Sequence, residues 1–445
     1  MLKLETQGTE SEQRIRIPFA RIDCSGNELR YVREVLESGW LTTAARAHEF
    51  ERRFAEAVGA RHACAVNSCT AARHLALESI GVGPGDKVLV PTLTFTATAE
   101  VVRYLGADPV FLDVERGTGL LTPEIVMAGL DRHAGVKAIV VVHLGGQAAE
   151  MESTKGEDSK LSGERGSSDY AERRGGTAGG EARWMGILEL CERRGVKVIQ
   201  DAAHAFPTRL KERMIGSFGD ATCFSFYANK TITTGEGGML VTDDEAIYLR
   251  SKTMRLHGIN RDIWHRFTSE VPDWEYDVVA PGFKYNMPDI NAAIGLAQLE
   301  RAEEMRKERQ GCFEHYLEHL AGVDCIDLPL IRCPLEDHSC HLFWIVLKDH
   351  APVSRNRFIE LLAEAGIGSS VHYKPLHRMT YYRERYGLRP EDFPNAERHW
   401  KGCVSLPVYP SLTNQELAYI VRHIRRVLER PTAAVRDAAG TVCSP

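Results

Sequence analysis

No stretch of this sequence approaches the roughly 20 uninterrupted apolar residues that a membrane-spanning helix needs. The first residues, MLKLETQGTESEQR, also lack the apolar core of a secretory signal, so the expected location is cytosolic. Cysteine is present without a pattern: the 11 residues are odd in number and scattered, and no C-x-x-C pair occurs. Neither a disulfide framework nor a zinc ribbon follows, and reduced thiols are expected. Excess positive charge is missing too. A formal net charge of -6 gives no global field to hold nucleic acid or an anionic membrane surface, so any anion must be bound by a local site.

What is present is globular. Hydrophobic residues make up 43% of the chain and charged ones 26%, and 445 residues exceed what one core usually supports. Apolar, β-rich runs (HACAV, KVLVP, DPVFLDV, KAIVVVHL, VKVIQDAA, ATCFSFY, GGMLVTDD) alternate with helix-like segments such as TAARHLALESIG and GILELCERRG. This alternation predicts an α/β fold with a mostly parallel, doubly wound sheet, whose ligands sit beyond the carboxyl ends of the strands. A large domain is expected over 15–287. A helix-like stretch from Pro288 to about Leu320 then leads into a smaller α/β domain that completes 288–430, and frayed tails are expected at 1–14 and 431–445. Residues 152–183, rich in Ser, Gly and charge with Tyr170 as their only aromatic, read as a flexible surface insertion.

The chemistry concentrates between Gln200 and Leu240. One strand ends in Asp201-Ala-Ala-His204, and a second, CFSFYANK, ends in Lys230 and runs into TITTGEGG. An amine at the aldehyde of pyridoxal 5'-phosphate and a carboxylate at its ring nitrogen are the two groups that cofactor needs, and Lys230 and Asp201 supply them. Ser225 offers a hydroxyl for the phosphate, and glycines at 235, 237 and 238 permit a tight turn. In NSCTAARHLAL, Ser68, Cys69 and Thr70 form a polar helix entry of the kind that binds anions through free amides and the helix dipole. Phe95, just beyond another strand, can stack on a pyridine ring or serve as a core aromatic. GVGPGDK misses the spacing of a nucleotide-triphosphate loop. His315 and His319 share a helical face without a third ligand, so no metal site is expected.

From Ile17 to Glu429, apart from the insertion, the chain resembles the DegT/DnrJ/StrS sugar-nucleotide aminotransferases. The resemblance rests on VLESGWLTT, AVNSCTAARHLAL, GDKVLVPTLTFTATA, VVHLGGQAAEM, VIQDAAHA, CFSFYANKTITTGEGGMLVTDD, PGFKYNMPDINAAIGLAQLE, VHYKPLH and SLPVYP, in that order. HGINRDIWHR, APGFKYNMPDINAA and YYRERYG are most similar to the branch that makes UDP-4-amino-4-deoxy-L-arabinose. The resemblance implies fold type I, a Schiff base on Lys230, Asp201 at the ring nitrogen, His204 near the 3-hydroxyl and Phe95 against the ring. It places the phosphate at Cys69, Thr70 and Ser225, with Lys284, Tyr285 and Asn286 reaching it from the partner in a homodimer with shared sites. Trp40, Thr42, His341 and His372 fall on the substrate side; His341 and His372 also read as satisfied structural histidines. The implied reaction moves an amino group from an amino acid, glutamate in the family, to a nucleotide-linked keto-sugar. Two other readings use the same scaffold: a sugar dehydratase, whose characterised examples carry His in place of the lysine, and a non-catalytic relative. The chain departs from the family at Ala44-Ala45, where Gly is usual, and at Arg73, where an apolar residue is usual.

Overall fold

The computed structural model describes residues 16–155, 183–260 and 275–429. Most of the expected insertion (156–182) and both expected tails lie outside the described residues, as does 261–274, which holds part of HGINRDIWHR.

Seven strands form the main sheet: β1 (His62–Val66), β2 (Lys87–Pro91), β3 (Asp108–Leu112), β4 (Val136–Val142), β5 (Lys197–Asp201), β6 (Ala221–Ser225) and β7 (Gly238–Thr242). Their order is β1-β7-β6-β5-β4-β2-β3. Only β7 runs against its neighbours; the other pairings are parallel. The strand sequences explain why both faces are covered. In β4, Ile139 and Val141 pack into one core while Ala138, Val140 and Val142 pack into another, so period-two alternation yields a run that is apolar throughout.

Helices α1 (Glu28–Ser38) and α2 (Ala45–Val58) precede the sheet; α3 (Cys69–Ser79), α4 (Ala97–Tyr104), α5 (Pro123–Arg132), α6 (Ile187–Arg193) and α7 (Glu245–Met254) lie between or after its strands. Phe50, Phe54, Val126 and Leu190 bring α2, α5 and α6 to one face. Leu75, Val102 and Ile247 bring α3, α4 and α7 to the other. The helix-like stretch after Pro288 is two helices, α8 (Asp289–Glu300) and α9 (Ala302–Leu320), broken at Arg301 (φ -112°, ψ 7°). A three-stranded antiparallel sheet follows: β8 (Ile326–Asp327), β9 (Phe343–Leu347) and β10 (Cys403–Leu406). Phe313 and Tyr316 of α9 pack on it, with Leu417, Ile420 and Ile424 of the amphipathic last helix, α13 (Asn414–Leu428). Three further helices, α10 (Arg355–Glu364), α11 (Thr380–Tyr386) and α12 (Pro394–Gly402), lie between β9 and the last helix. No helix among the described residues is long and apolar enough to cross a membrane.

Two local features bear on the site. The Ala44-Ala45 turn carries no side chain able to cap α2, and Asp289 of α8 does so instead, accepting from the amides of Ala44 (2.7 Å), Arg46 and Ala47 (both 3.0 Å). Thr154–Lys155 pairs antiparallel with Arg183–Trp184, which brings together the two ends of the expected insertion.

Candidate active site

Register assembles the site at the carboxyl edge of the parallel strands. Asp201, last in β5, pairs with Cys223 of β6, two residues before Ser225. Ser225 pairs in turn with Gly238 of β7, and Gly238 with Val66 of β1. Asp201, the loop from Ser225 to Lys230, and the Asn67-Ser68 entry to α3 thus meet along one edge, as expected for strand-end residues.

Glycine makes the closest of these approaches possible. A Cβ on Gly238 would lie 2.4 Å from the Ser68 carbonyl carbon and 2.5 Å from the Cys69 nitrogen. The turn that presents the first amides of α3 can sit on β7 only because nothing projects there. Ser68 is the N-cap of α3 and accepts from Ala71 N at 3.1 Å, which leaves the Cys69 and Thr70 amides without intrahelical partners. Gly235, at φ +79°, turns the chain after Lys230. Thr233 and Thr234 tie that turn to the Phe226 carbonyl at 3.1 and 3.0 Å.

Among the described residues, the Lys230 amine makes no hydrogen bond or ion pair. The residue is half-buried, yet protein surrounds the amine closely enough that burial brings its pKa down to about 8; Cys69 opposes this fall and Arg73 adds to it. Asp201 is 2% exposed. Its Oδ2 accepts from the Arg73 guanidinium and from Thr98 Oγ1 (3.0 Å), and its Oδ1 from Ala203 N (3.1 Å). A carboxylate offers about four acceptor directions, so one more N–H can still be received.

Beside Lys230 lies a group of neutral histidines. Gly145 N–H donates to His204 Nδ1 (3.3 Å), which places the ring proton on Nε2, facing Tyr373 Oη at 3.0 Å. Burial, then the charge on Lys230, holds His204 well below the ordinary imidazole range. His341 packs on it with ring centroids 4.6 Å apart, and its Nδ1 is buried without a partner. His372 bonds Ser405 Oγ through Nδ1 (2.8 Å), and burial pushes it down to about 3. His372 is therefore a satisfied histidine and His341 is not. Phe95 is 55% exposed, which removes the core-aromatic alternative.

A second patch gathers other expected residues. Lys284 Nζ donates to Asn286 Oδ1 (2.7 Å), and Asn286 Nδ2 to Thr43 Oγ1 (2.6 Å), beside exposed Thr42 and half-buried Trp40. Tyr285 O accepts from Asn67 N (2.7 Å), so this loop borders the anion-binding turn of its own chain. Sequence reasoning missed Thr98 and Tyr373 and saw Arg73 only as a departure. Position on a helix gave no sign that Arg73 would point at Asp201. Among the described residues, no cluster of three His, Cys, Asp or Glu side chains is placed to hold a metal.

An amine whose pKa burial lowers to about 8, a strand-end carboxylate with one acceptor direction left and a glycine-seated helix entry fit pyridoxal 5'-phosphate. With the sheet topology they define a pyridoxal-phosphate-dependent aminotransferase of fold type I. The chain belongs to the DegT/DnrJ/EryC1/StrS aminotransferase family, whose model matches residues 23–157 and 177–425. It is 37% identical over 417 residues to the spore coat polysaccharide biosynthesis protein SpsC of Bacillus subtilis, covering 93% of this chain and 97% of that one. Among solved structures it is similar to Spr1654 of Streptococcus pneumoniae, assigned as a sugar aminotransferase. The PMP-form superposes with a TM-score of 0.77 at 30% identity over 93% of this chain and 99% of that one; the PLP-form gives 0.76 at 29% over the same shares. It is also similar to the aminotransferase TlmJ of Streptoalloteichus hindustanus (TM-score 0.76, 29% identity, 92% and 98% covered). The protein is a pyridoxal-phosphate-dependent aminotransferase.

Proposed function

We propose that this enzyme moves an amino group from an amino acid, glutamate by family resemblance, to a nucleotide-linked keto-sugar, using Lys230 and Asp201. The observation that carries this reading is the unengaged Lys230 amine on the same sheet edge as Asp201. When bound, the cofactor supplies an aldehyde that condenses with amines and a ring that draws electrons from the substrate carbon. The residues do the rest. A neutral Lys230 amine is nucleophilic enough to hold the cofactor; once released, with a pKa near working pH, it can take a proton from one carbon and return it to another. Asp201 would keep a proton on the ring nitrogen, with Thr98 and Arg73 fixing its oxygens. Ser68, Ser225 and the Cys69 and Thr70 amides would hold the phosphate, neutral His204 would serve the 3-hydroxyl, and exposed Phe95 would be available to stack. His341, Trp40 and Thr42 are assigned to the sugar side, with His372 supporting that wall through Ser405.

The test is a half-reaction. Purified protein in the pyridoxamine form, mixed with UDP-, GDP- or dTDP-linked keto-sugars, should regain the visible absorbance of the lysine-bound cofactor with at least one of them. Regeneration by keto acids but by no nucleotide-linked sugar would remove the proposed acceptor.

The patch at Lys284 and Asn286 supports a homodimer with shared sites, because its polar groups lie at the surface rather than against Lys230. We expect a Lys230→Ala protomer, paired with one changed at both Lys284 and Asn286, to regain one working site per dimer. Each parent dimer should be folded and inactive. A heterodimer as inactive as its parents would mean that the loop serves its own chain, whose Asn67 it already touches.

A further inference from the structure

The segment that carries His372 and Tyr373 is tied down a few residues later. Leu376 N–H donates to the Thr92 carbonyl at 2.8 Å, and the next residue, His377, donates its own amide to Thr92 Oγ1 at 3.3 Å. The His377 ring then joins the exit of β2 to α12. Its Nδ1 lies 2.8 Å from Thr92 Oγ1, and its Nε2 lies 2.7 Å from Glu397 Oε1. Thr92 and His377 are wholly buried and Glu397 is nearly so. Arg378 holds Glu397 through both carboxylate oxygens, and the His377 ring stacks on Phe393 with centroids 4.5 Å apart.

Proton accounting gives this chain of bonds one sense. A carboxylate only accepts, so His377 Nε2 carries a proton. Burial lowers the imidazole pKa, against the pull of Glu397, and a neutral ring leaves Nδ1 as an acceptor. The Thr92 hydroxyl therefore donates to Nδ1 while it receives the His377 amide. What hangs from the two ends is the site. Thr92 lies three residues before Phe95 and six before Thr98, whose hydroxyl bonds Asp201 at 3.0 Å. His377 lies four residues after Tyr373, which faces His204. Phe95 is more than half exposed, and among the described residues its one aromatic neighbour is Tyr373, with centroids 6.1 Å apart. Packing does not fix that ring, so its place follows from the backbone of its loop.

We propose that Thr92, His377 and Glu397 form a positioning chain, which holds the Phe95 loop and the His372–Tyr373 segment at one separation and so places both against the cofactor. None of the three is assigned a contact with cofactor or substrate; each acts through the residues it carries. Buried charged groups are a weak source of stability, because apolar residues of similar volume serve as well, but a run of directional bonds specifies a geometry that apolar packing leaves looser. The inference rests on the cofactor assignment, and on the transamination reading only in its kinetic arm.

Thr92→Val keeps the shape of the side chain and removes the hydroxyl, whereas Thr92→Ser keeps the hydroxyl. In the cofactor-loaded protein, Thr92→Val and His377→Phe should each lower the saturated rate of the half-reaction with glutamate by about 10- to 100-fold, the scale on which a misplacement of about 1 Å acts. The glutamate concentration giving half that rate should move less than about threefold, since no contact to substrate is removed, and Thr92→Ser should stay within about twofold of wild type. A second readout does not depend on turnover. The visible circular dichroism of the lysine-bound cofactor arises from the asymmetry of the groups around its ring; it should fall in Thr92→Val and His377→Phe and return in Thr92→Ser, while the absorbance stays. Thr92→Val serves alone if His377→Phe does not fold. Wild-type dichroism in a folded Thr92→Val variant would overturn the proposal whatever its rate, and with a fallen melting temperature it would make the chain a clamp on the fold. A loss in Thr92→Ser equal to that in Thr92→Val would also overturn it, because the position would then respond to packing rather than to the hydroxyl. If the dichroism changes as expected but the wild type reacts with no amino acid, the transamination reading fails while the positioning chain stands.

Discussion

Lys230→Ala should abolish the visible absorbance of the lysine-bound cofactor and take transamination below detection. No other described lysine follows the β6 strand end, and the proton-transfer share of the loss alone is worth about 10²- to 10⁴-fold. Folding should survive, because among the described residues the amine makes no hydrogen bond that would be broken. Its lowered pKa adds a second signature. A buried lysine with a pKa of about 8 is mostly protonated below that pH and mostly neutral above it, so cofactor uptake by the stripped wild type should accelerate as pH rises through about 8 and then level. Turnover by the Ala variant, or uptake indifferent to pH between 6 and 9, both read by stopped-flow absorbance, would remove Lys230 from its role.

Asp201→Ala should fail in two separable ways. Transamination should fall by at least about 100-fold, the scale of losing one preorganised electrostatic contact. Stability should also fall by about 3–5 kcal/mol, because Arg73 would be left buried without its counter-charge. The double variant Asp201→Ala, Arg73→Leu removes both charges at once. Replacing a buried pair by apolar groups is often neutral, so the melting temperature should return toward wild type while turnover stays low. Recovery of turnover in the double variant would show that Asp201 acts only as a partner for Arg73. A single variant as stable as wild type would mean that Arg73 finds another acceptor, such as Thr98, which it already contacts at 2.9 Å.

Much of this was legible before any coordinates. Asp201 and Lys230 each follow an apolar run, and residues just past parallel strands converge, so their place on one sheet edge could be expected from the sequence. The strand-helix alternation announced the sheet. Its reversed strand was not announced: GGMLVTDD reads as apolar in either direction, and only pairing with β1 and β6 fixes the sense. Contacts between distant segments were equally silent. The Arg73–Asp201 pair, the Thr98 bond and the Tyr373 hydroxyl on His204 depend on how helices and loops pack, which local periodicity does not encode. The cap of α2 shows the same limit. Ala44 looks like a missing signal because the capping oxygen comes from Asp289, far along the chain.

The short antiparallel neck between Thr154–Lys155 and Arg183–Trp184 has a thermodynamic meaning of its own. With the two ends held together by the ladder, the length of chain between them enters the stability of the neck through the entropy of closing a loop. That entropy grows with the logarithm of length, about 0.6 kcal/mol for each doubling. The family model leaves 158–176 unmatched within this segment, while the strands carrying Asp201 and Ser225 lie wholly inside the matched residues. Length can therefore be gained or lost beyond the neck at almost no cost to the catalytic edge of the sheet. This is the thermodynamic condition under which one lineage can carry a long appendage and another none while both keep the same chemistry.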